Sequence, residues 1–114
     1  MSQANKALVQ EFYTAIDTGN VAAIGPLCAQ AATFQFGGAP PISLAQFTGM
    51  IGGMPAGASR HVVRDMVAEG DKLACHVDVV HTSGASTKAL TLFTFTGGKI
   101  ASELVILDGG TPGR

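Results

Sequence analysis

Three ionisable residues stand within otherwise apolar stretches of the C-terminal half: His76, Asp78 and Glu103. Imidazoles and carboxylates are the groups that transfer protons near neutral pH, and acids with perturbed pKa values cluster at functional sites. His76 and Asp78 are two residues apart, which on a strand places both side chains on one face with their Cα atoms about 6.6 Å apart. This spacing predicts an acid–base pair, provided that the surrounding elements bring Glu103 to the same face.

The elements that must position these residues follow from a change in hydrophobic period. Helical spacing, as in Leu8, Phe12 and Ile16, marks the first half and predicts helices over residues 5–18, 21–28 and 44–51, with a short strand at 32–36. From residue 60 the period becomes two, which predicts strands over 60–69, 72–81, 88–96 and 100–107. Helices followed by strands indicate one α+β domain over residues 1–114, with a core at about 5–108 and a mobile tail at 109–114.

Turn lengths then predict which residues share a face of the sheet. A three-residue turn at 97–99 sets Phe93 opposite Glu103, and a four-residue turn at 83–86 sets His76 opposite Phe93 and Asp78 opposite Thr91. Residues opposite each other in an antiparallel pair lie on one face. The prediction is therefore that His76, Asp78 and Glu103 share a face.

That face is also rich in aromatic and aliphatic residues, so we expect the helices to cover it. Three ionisable groups on a covered apolar face cost too much free energy unless they are paired or wetted, which predicts a pocket. In it Asp78 would transfer a proton, His76 would set the ionisation of Asp78, and Glu103 would assist from the far wall. The predicted ligand-binding residues are Phe12, Tyr13, Phe36, Thr91, Phe93, Phe95, Val105 and Leu107.

The opposite face of the predicted sheet is almost wholly aliphatic. Three helices can cover only one face, and large uncovered apolar patches mark interaction sites. We therefore expect a homodimer formed through this outer face, whose predicted residues are Val77, Val79, Leu90, Leu92, Leu104 and Ile106.

Composition and spacing argue against several classes of function. Seven basic against eight acidic residues give a net charge of −1, with no footprint for nucleic acid or an anionic membrane. No apolar run is long enough for a membrane span or a secretory signal, and the distant Cys28 and Cys75 are expected to be free thiols in the cytoplasm. Neither Gly37-Gly38 nor Gly52-Gly53 resembles a phosphate-binding loop. If the protein is an enzyme, the chemistry expected of it is cofactor-free.

The remaining histidines are expected to lie outside the site. A metal site built from His61, His76 and His81 would need both faces of the sheet at once, so no metal is expected. His61 and Asp65 share a face if their strand is regular, and we expect a rim or solvent position for both.

Several short segments resemble the NTF2-like superfamily in its SnoaL-like branch. They are ALVQEFY at 7–13, TGN at 18–20, ATF at 32–34, AEGDK at 68–72 and GKI at 98–100, and together they cover roughly residues 5–108. The resemblance implies a cone of three helices on a curved, mixed and mainly antiparallel sheet, a deep apolar pocket, and often a sheet-to-sheet homodimer. Relatives include ketosteroid isomerase, limonene-epoxide hydrolase, scytalone dehydratase and polyketide cyclases.

The functional residues of these relatives match this chain only in part. Where ketosteroid isomerase has its tyrosine, general base and protonated aspartate, the resemblance places Phe12, Phe36 and Thr91, which argues against that isomerisation. Limonene-epoxide hydrolase has an Arg-x-Asp pair that matches His76 and Asp78, but its water-holding residues and second aspartate do not match. SnoaL-type cyclases place a carboxylate near the position of Glu103.

Three functions remain open at this point. The first is an isomerase, cyclase, dehydratase or hydrolase acting on a small apolar molecule. The second is a ligand-binding or accessory protein with the same pocket, which would bind a compound without changing it. The third is a structural dimerisation module, which requires a filled pocket and is therefore excluded by a cavity of several hundred Å³.

Overall fold

The helices lie in the N-terminal half of the chain. The computed structural model describes residues 2–108; the predicted tail at 109–114 lies outside this range. Helix α1 spans Ser2–Asp17, α2 spans Val21–Ile24 and continues into a 3₁₀ turn at Gly25–Leu27, and α3 spans Leu44–Gly52. Within residues 2–108, none of the helices combines the length and apolar character needed to cross a lipid bilayer.

Local sequence signals define where these helices begin and end. Gly19 follows α1 with a φ of +70°, a left-handed conformation that glycine adopts at no steric cost. Its Cα also packs closely on Ala56, since a Cβ at Gly19 would lie 3.2 Å from the Ala56 Cβ. Ser43 caps α3 reciprocally with Gln46: each side chain bonds the backbone N–H of the other.

Six strands form a single mixed sheet in the order β2-β1-β6-β5-β4-β3. All neighbouring pairs are antiparallel except β1 and β6, which run parallel. The predicted α+β class, with helices packed on a mixed, mainly antiparallel sheet, is confirmed. The strands span Cys28–Phe36 (β1), Ile42–Ser43 (β2), Ser59–Glu69 (β3), Lys72–His81 (β4), Ser86–Thr96 (β5) and Lys99–Leu107 (β6).

The predicted pairing of β5 with β6 is confirmed in the body of the hairpin. Phe93 lies opposite Glu103 and Leu92 opposite Leu104. The turn itself differs from the prediction: it has two residues, Gly97 and Gly98, with φ values of +59° and +78°, the backbone twist that suits a tight hairpin. A register shift just after Thr94 compensates for the shorter turn.

The predicted pairing of β4 with β5 is wrong by three residues. Leu90 lies opposite His76 and Lys88 opposite Asp78, where Phe93 and Thr91 were predicted. The last pair before the turn is Val80 with Ser86, which leaves five connecting residues instead of four. Because side chains alternate between faces with a period of two, this odd shift moves His76 and Asp78 to the opposite face of the sheet from Glu103.

A bulge in β3 changes the face of its side chains as well. Val63 pairs with Val77, but Asp65 pairs with His76, so Arg64 is an extra residue in the strand. His61 therefore lies on the helix-covered face while Asp65 lies on the outer face. The prediction that His61 and Asp65 share a face is wrong for this reason.

The helix-covered face holds the core of the molecule. Phe12 of α1 is fully buried and packs near four other aromatic rings, with ring centroids 5.8 Å from Tyr13, 6.2 Å from Phe34, 5.8 Å from Phe47 and 5.7 Å from Phe93. Val77, predicted for the outer face, is fully buried on this one. Burying side chains of this size contributes about 1.5–3 kcal/mol each, so this cluster holds α1 and α3 against the sheet.

Candidate functional site

A cavity of about 510 Å³ lies between the helix-covered face of the sheet, the C-terminal part of α1 and helix α3. This volume falls in the range of small-molecule binding sites. Most lining side chains are apolar, and the polar ones are few. The lining residues are Tyr13, Ile16, Phe36, Phe47, Met50, Ile51, Met54, Ser59, His61, Val77, Val79, His81, Thr87, Ala89, Thr91, Glu103, Val105, Leu107 and Asp108.

Glu103 places a carboxyl group in the wall of this cavity. The residue is 5% exposed, and within residues 2–108 its side chain has no hydrogen-bond partner. Burial raises the pKa of Glu103 from 4.5 to about 8, because the charged form loses its hydration. At neutral pH the group therefore keeps its proton and is a hydrogen-bond and proton donor.

Beside Glu103 lie other buried polar groups. The Tyr13 hydroxyl is 3.7 Å from the Sγ of Cys75, and Thr91 lies opposite Cys75 on the neighbouring strand. Burial, reinforced by the charge of Glu103, raises the pKa of Tyr13 above its usual range. The phenol thus stays protonated and can donate a hydrogen bond, while burial raises the pKa of the Cys75 thiol to about 11.

His61 enters the same cavity from β3 and is held by Asp17, the last residue of α1. The backbone N–H of His61 donates to Asp17 Oδ2 at 2.8 Å, and the Nδ1 of its ring lies 2.5 Å from Asp17 Oδ1. The His61 ring stacks on Tyr13, with centroids 4.7 Å apart and planes 18° from parallel. An imidazole, a phenol and a protonated carboxyl group therefore line one apolar cavity.

The outer end of the cavity is bordered by partly exposed residues. Met50 of α3 is 43% exposed and Met54, in the following loop, is 39% exposed. His81 and Thr87 border the same end, with the Nε2 of His81 3.3 Å from the Thr87 hydroxyl oxygen. A ligand would thus meet flexible apolar side chains on one side and polar ones on the other.

His76 and Asp78 lie together as their spacing predicts, but on the outer face of the sheet. Asp78 accepts hydrogen bonds from Arg64 at 2.7 Å and Lys88 at 3.2 Å, and its Oδ1 lies 3.8 Å from the Nε2 of His76. The hydrogen bonds from Arg64 and Lys88 hold the pKa of Asp78 below its usual value. Of the three predicted catalytic residues, only Glu103 reaches the cavity; the other two are separated from it by the sheet.

The predicted ligand-binding residues divide into two groups. Those that line the cavity are Tyr13, Phe36, Thr91, Val105 and Leu107. The others are not part of the lining: they are buried in the core and are Phe12, Phe93 and Phe95.

Val77, Val79 and His61 line the cavity although they were not predicted to. The two valines were assigned to the outer face through the shifted β4–β5 register, and His61 was placed at the rim. One signal for the His61 contact was present in the sequence. Asp17 is a carboxylate at a helix C-terminus, where the macrodipole disfavours negative charge, so an aspartate there needs a partner elsewhere.

The structure thus combines a mixed six-stranded sheet, helices that close one of its faces, and a cavity of about 510 Å³ between them. The family model for the SnoaL-like domain matches residues 9–103, so the chain belongs to the SnoaL-like family, which has the NTF2-like fold. No match was found among curated proteins.

Solved structures share this fold at low sequence identity. An NTF2-like protein of unknown function from Cytophaga hutchinsonii is 24% identical with a TM-score of 0.77, over 90% of this chain and 88% of that one. IdmH from Streptomyces antibioticus, provisionally named a polyketide cyclase, is 17% identical with a TM-score of 0.75, over 91% of each chain. A protein from Kribbella flavida, provisionally named a ketosteroid isomerase, is 12% identical with a TM-score of 0.83, over 99% of this chain and 84% of that one.

Proposed function

We propose that this protein is a cofactor-free acid–base enzyme of the SnoaL-like type, acting on a small and mostly apolar carbonyl compound. The observation that carries the proposal is Glu103, a carboxyl group without a hydrogen-bond partner within residues 2–108, held protonated in the wall of an apolar cavity of about 510 Å³. A buried acid of this kind is costly for stability and useful for chemistry.

The proposed reaction class is proton transfer at the carbon next to a carbonyl group. Glu103 would donate its proton to the carbonyl oxygen as the neighbouring C–H bond breaks, so that a neutral enol forms instead of an enolate. The Tyr13 hydroxyl offers a second donor, and the apolar lining excludes water that would weaken both hydrogen bonds. This step is common to isomerisation and to carbon–carbon ring closure, in keeping with the names given to the Kribbella and Streptomyces proteins.

The proposal can be tested by an assay that does not require the natural substrate to be known. The protein is incubated in D₂O with a panel of small cyclic ketones, enones and β-diketones, and exchange of the protons next to the carbonyl is followed by NMR. We expect catalysed exchange for some compounds and a loss of roughly 10²-fold or more in Glu103→Gln. The matched control is Glu11→Gln, which changes an exposed glutamate of α1.

Two outcomes would overturn the assignment. Exchange that is unaffected by Glu103→Gln would remove Glu103 from the chemistry. Compounds that raise the melting temperature of the protein but are never exchanged or otherwise altered would favour the second function left open by the sequence, a ligand-binding or accessory protein with the same cavity.

We also propose that the protein is a homodimer formed through the outer sheet face. Large apolar side chains are exposed there, with Leu90 62% and Ile106 48% exposed, and Leu92 and Leu104 border the same shallow groove. Sedimentation velocity should show a dimer that Leu90→Lys dissociates. The control Met50→Lys adds the same charge at an exposed apolar residue elsewhere; a monomeric wild type at tens of micromolar would refute the dimer.

A cytoplasmic location is proposed on the basis of the two thiols. Cys28 and Cys75 are both free thiols, the state that cysteines keep in a reducing compartment. Alkylation of the denatured protein, isolated from its source without reductant, should label both cysteines. A disulfide-linked form in that experiment would contradict a reducing compartment.

A further inference from the structure

We propose that His61 is the catalytic base of this site and that Asp17 positions it. The inference rests on the proposed function, since it assigns the group that removes the proton whose carbonyl partner Glu103 protonates.

The contacts of Asp17 define which nitrogen of His61 carries the proton. A carboxylate oxygen accepts hydrogen bonds and donates none, so we assign the proton of this contact to Nδ1, which lies 2.5 Å from Asp17 Oδ1. In the neutral imidazole, Nε2 then has a free lone pair. The second oxygen, Oδ2, accepts the His61 backbone N–H at 2.8 Å, so one carboxylate fixes both the strand and the ring.

Tyr13 holds the His61 ring from a second side, and the Nε2 of the ring remains without a hydrogen-bond partner in the part of the chain that the structure describes. Stacking on Tyr13 at 4.7 Å restricts rotation about the side-chain bonds, and His61 and Asp17 side chains are only 16% and 18% exposed. His61 lines the cavity, and within residues 2–108 its Nε2 has no hydrogen-bond partner. His61 thus combines a ring fixed by two contacts, a nitrogen without a hydrogen-bond partner among the described residues and a position in the cavity lining, as a base requires.

The proton balance of the step closes without another reactant. Nε2 of His61 takes the proton from the carbon next to the carbonyl, and the electrons of the C–H bond form the carbon–carbon double bond of the enol. The carbonyl oxygen takes the proton of Glu103. In the return step, the imidazolium gives its proton to a carbon of the enol system and the enol oxygen returns a proton to Glu103, which restores both groups.

A purely structural reading of the same contacts is that Asp17 ties α1 to β3. Asp17→Asn separates the two readings, because the Asn carbonyl can still accept the His61 backbone N–H while its amide N–H₂ faces Nδ1. Nδ1 must then accept a hydrogen bond, which moves the ring proton to Nε2 and removes the base. The backbone hydrogen bond that connects α1 to β3 is kept in this variant, whereas the Nδ1-protonated tautomer of His61 is lost.

The first measurement needs no substrate. Two-bond ¹H–¹⁵N correlation spectra of the full-length protein above pH 7 should show His61 protonated at Nδ1, and Asp17→Asn should shift it to the Nε2-protonated form. The control Asp71→Asn, at an exposed turn residue, should leave the His61 spectrum unchanged. A wild-type His61 protonated at Nε2 would overturn the inference.

The second measurement uses the deuterium-exchange assay. Asp17→Asn and His61→Gln should each lower kcat by roughly 10²–10⁴-fold with KM changed by less than about threefold. Loss of exchange in Glu103→Gln together with full exchange in Asp17→Asn would refute this inference and leave the proposed function standing. Loss in Asp17→Asn with no effect of Glu103→Gln would keep His61 as the base and remove Glu103 from the reaction.

Discussion

Keeping Glu103 inside the cavity has a cost that can be measured as a pH dependence of stability. Its pKa is 4.5 in an exposed state and about 8 in the folded chain, a difference of about 3.5 pH units that corresponds to about 5 kcal/mol. Between these two values the folded protein binds a proton that the unfolded chain has released. The free energy of unfolding must therefore fall as the pH rises from 4.5 to 8.

Replacing Glu103 with glutamine removes this dependence while keeping the size of the side chain. The stabilisation that the Glu103 proton gives to the folded wild type is complete below pH 4.5 and is lost by about pH 8. The free energy of unfolding of Glu103→Gln, relative to that of the wild type, should therefore rise by about 4 kcal/mol between pH 5 and pH 8. Urea denaturation followed by circular dichroism at pH 5, 6, 7 and 8 measures the difference, with Glu11→Gln as control. Parallel pH profiles for wild type and Glu103→Gln would refute the reasoning, because they would mean that the carboxyl group is hydrated.

Three further substitutions test the fold and the cavity. Phe12→Ala should lower the free energy of unfolding by about 3–5 kcal/mol in urea denaturation, since it empties the centre of the aromatic cluster. Ala89→Leu should fill part of the cavity and abolish the thermal shift caused by any bound ketone, whereas Ala22→Leu, at an exposed residue of α2, should preserve that shift. Gly98→Ala should cost about 1–2 kcal/mol, because an L-residue is strained at a φ of +78°; no loss in thermal denaturation would argue against the two-residue turn.

The fold could be predicted from the sequence to the level of element order and much of the pairing. The change from helical to strand period locates the helical and sheet halves, and the pair Phe93–Glu103 is correct because a compensating bulge preserves it. The β4–β5 register could not be derived, since it depends on whether four or five residues connect the strands. No residue in the connecting segment distinguishes these lengths, and an odd difference inverts every side chain of one strand relative to the other.

Among strands β3 to β6, the sequence predicted cavity residues correctly only on β5 and β6, because the pairing of these two strands was predicted correctly. Glu103, Thr91 and Val105 lie on the pair β5–β6, and all three line the cavity. The prediction for His76 and Asp78 is wrong because the predicted β4–β5 register is wrong. His61 was missed because nothing in the sequence signals that Arg64 is an extra residue in β3. His76 and Asp78 could be wrongly assigned to the site because a charged pair on an apolar face is as typical of an ion-paired surface as of an active site.

Residues at the end of α1 contact both the loop beside the outer end of the cavity and a residue of the cavity wall. The carbonyl oxygen of Asp17 accepts the backbone N–H of Gly57 at 3.1 Å, and the adjacent Gly19 leaves no spare room against Ala56. Met54, three residues before Gly57, lines the cavity. The loop that carries Met54 and the ring of His61 are therefore both hydrogen-bonded to Asp17, the loop to its backbone carbonyl and the ring to its carboxylate.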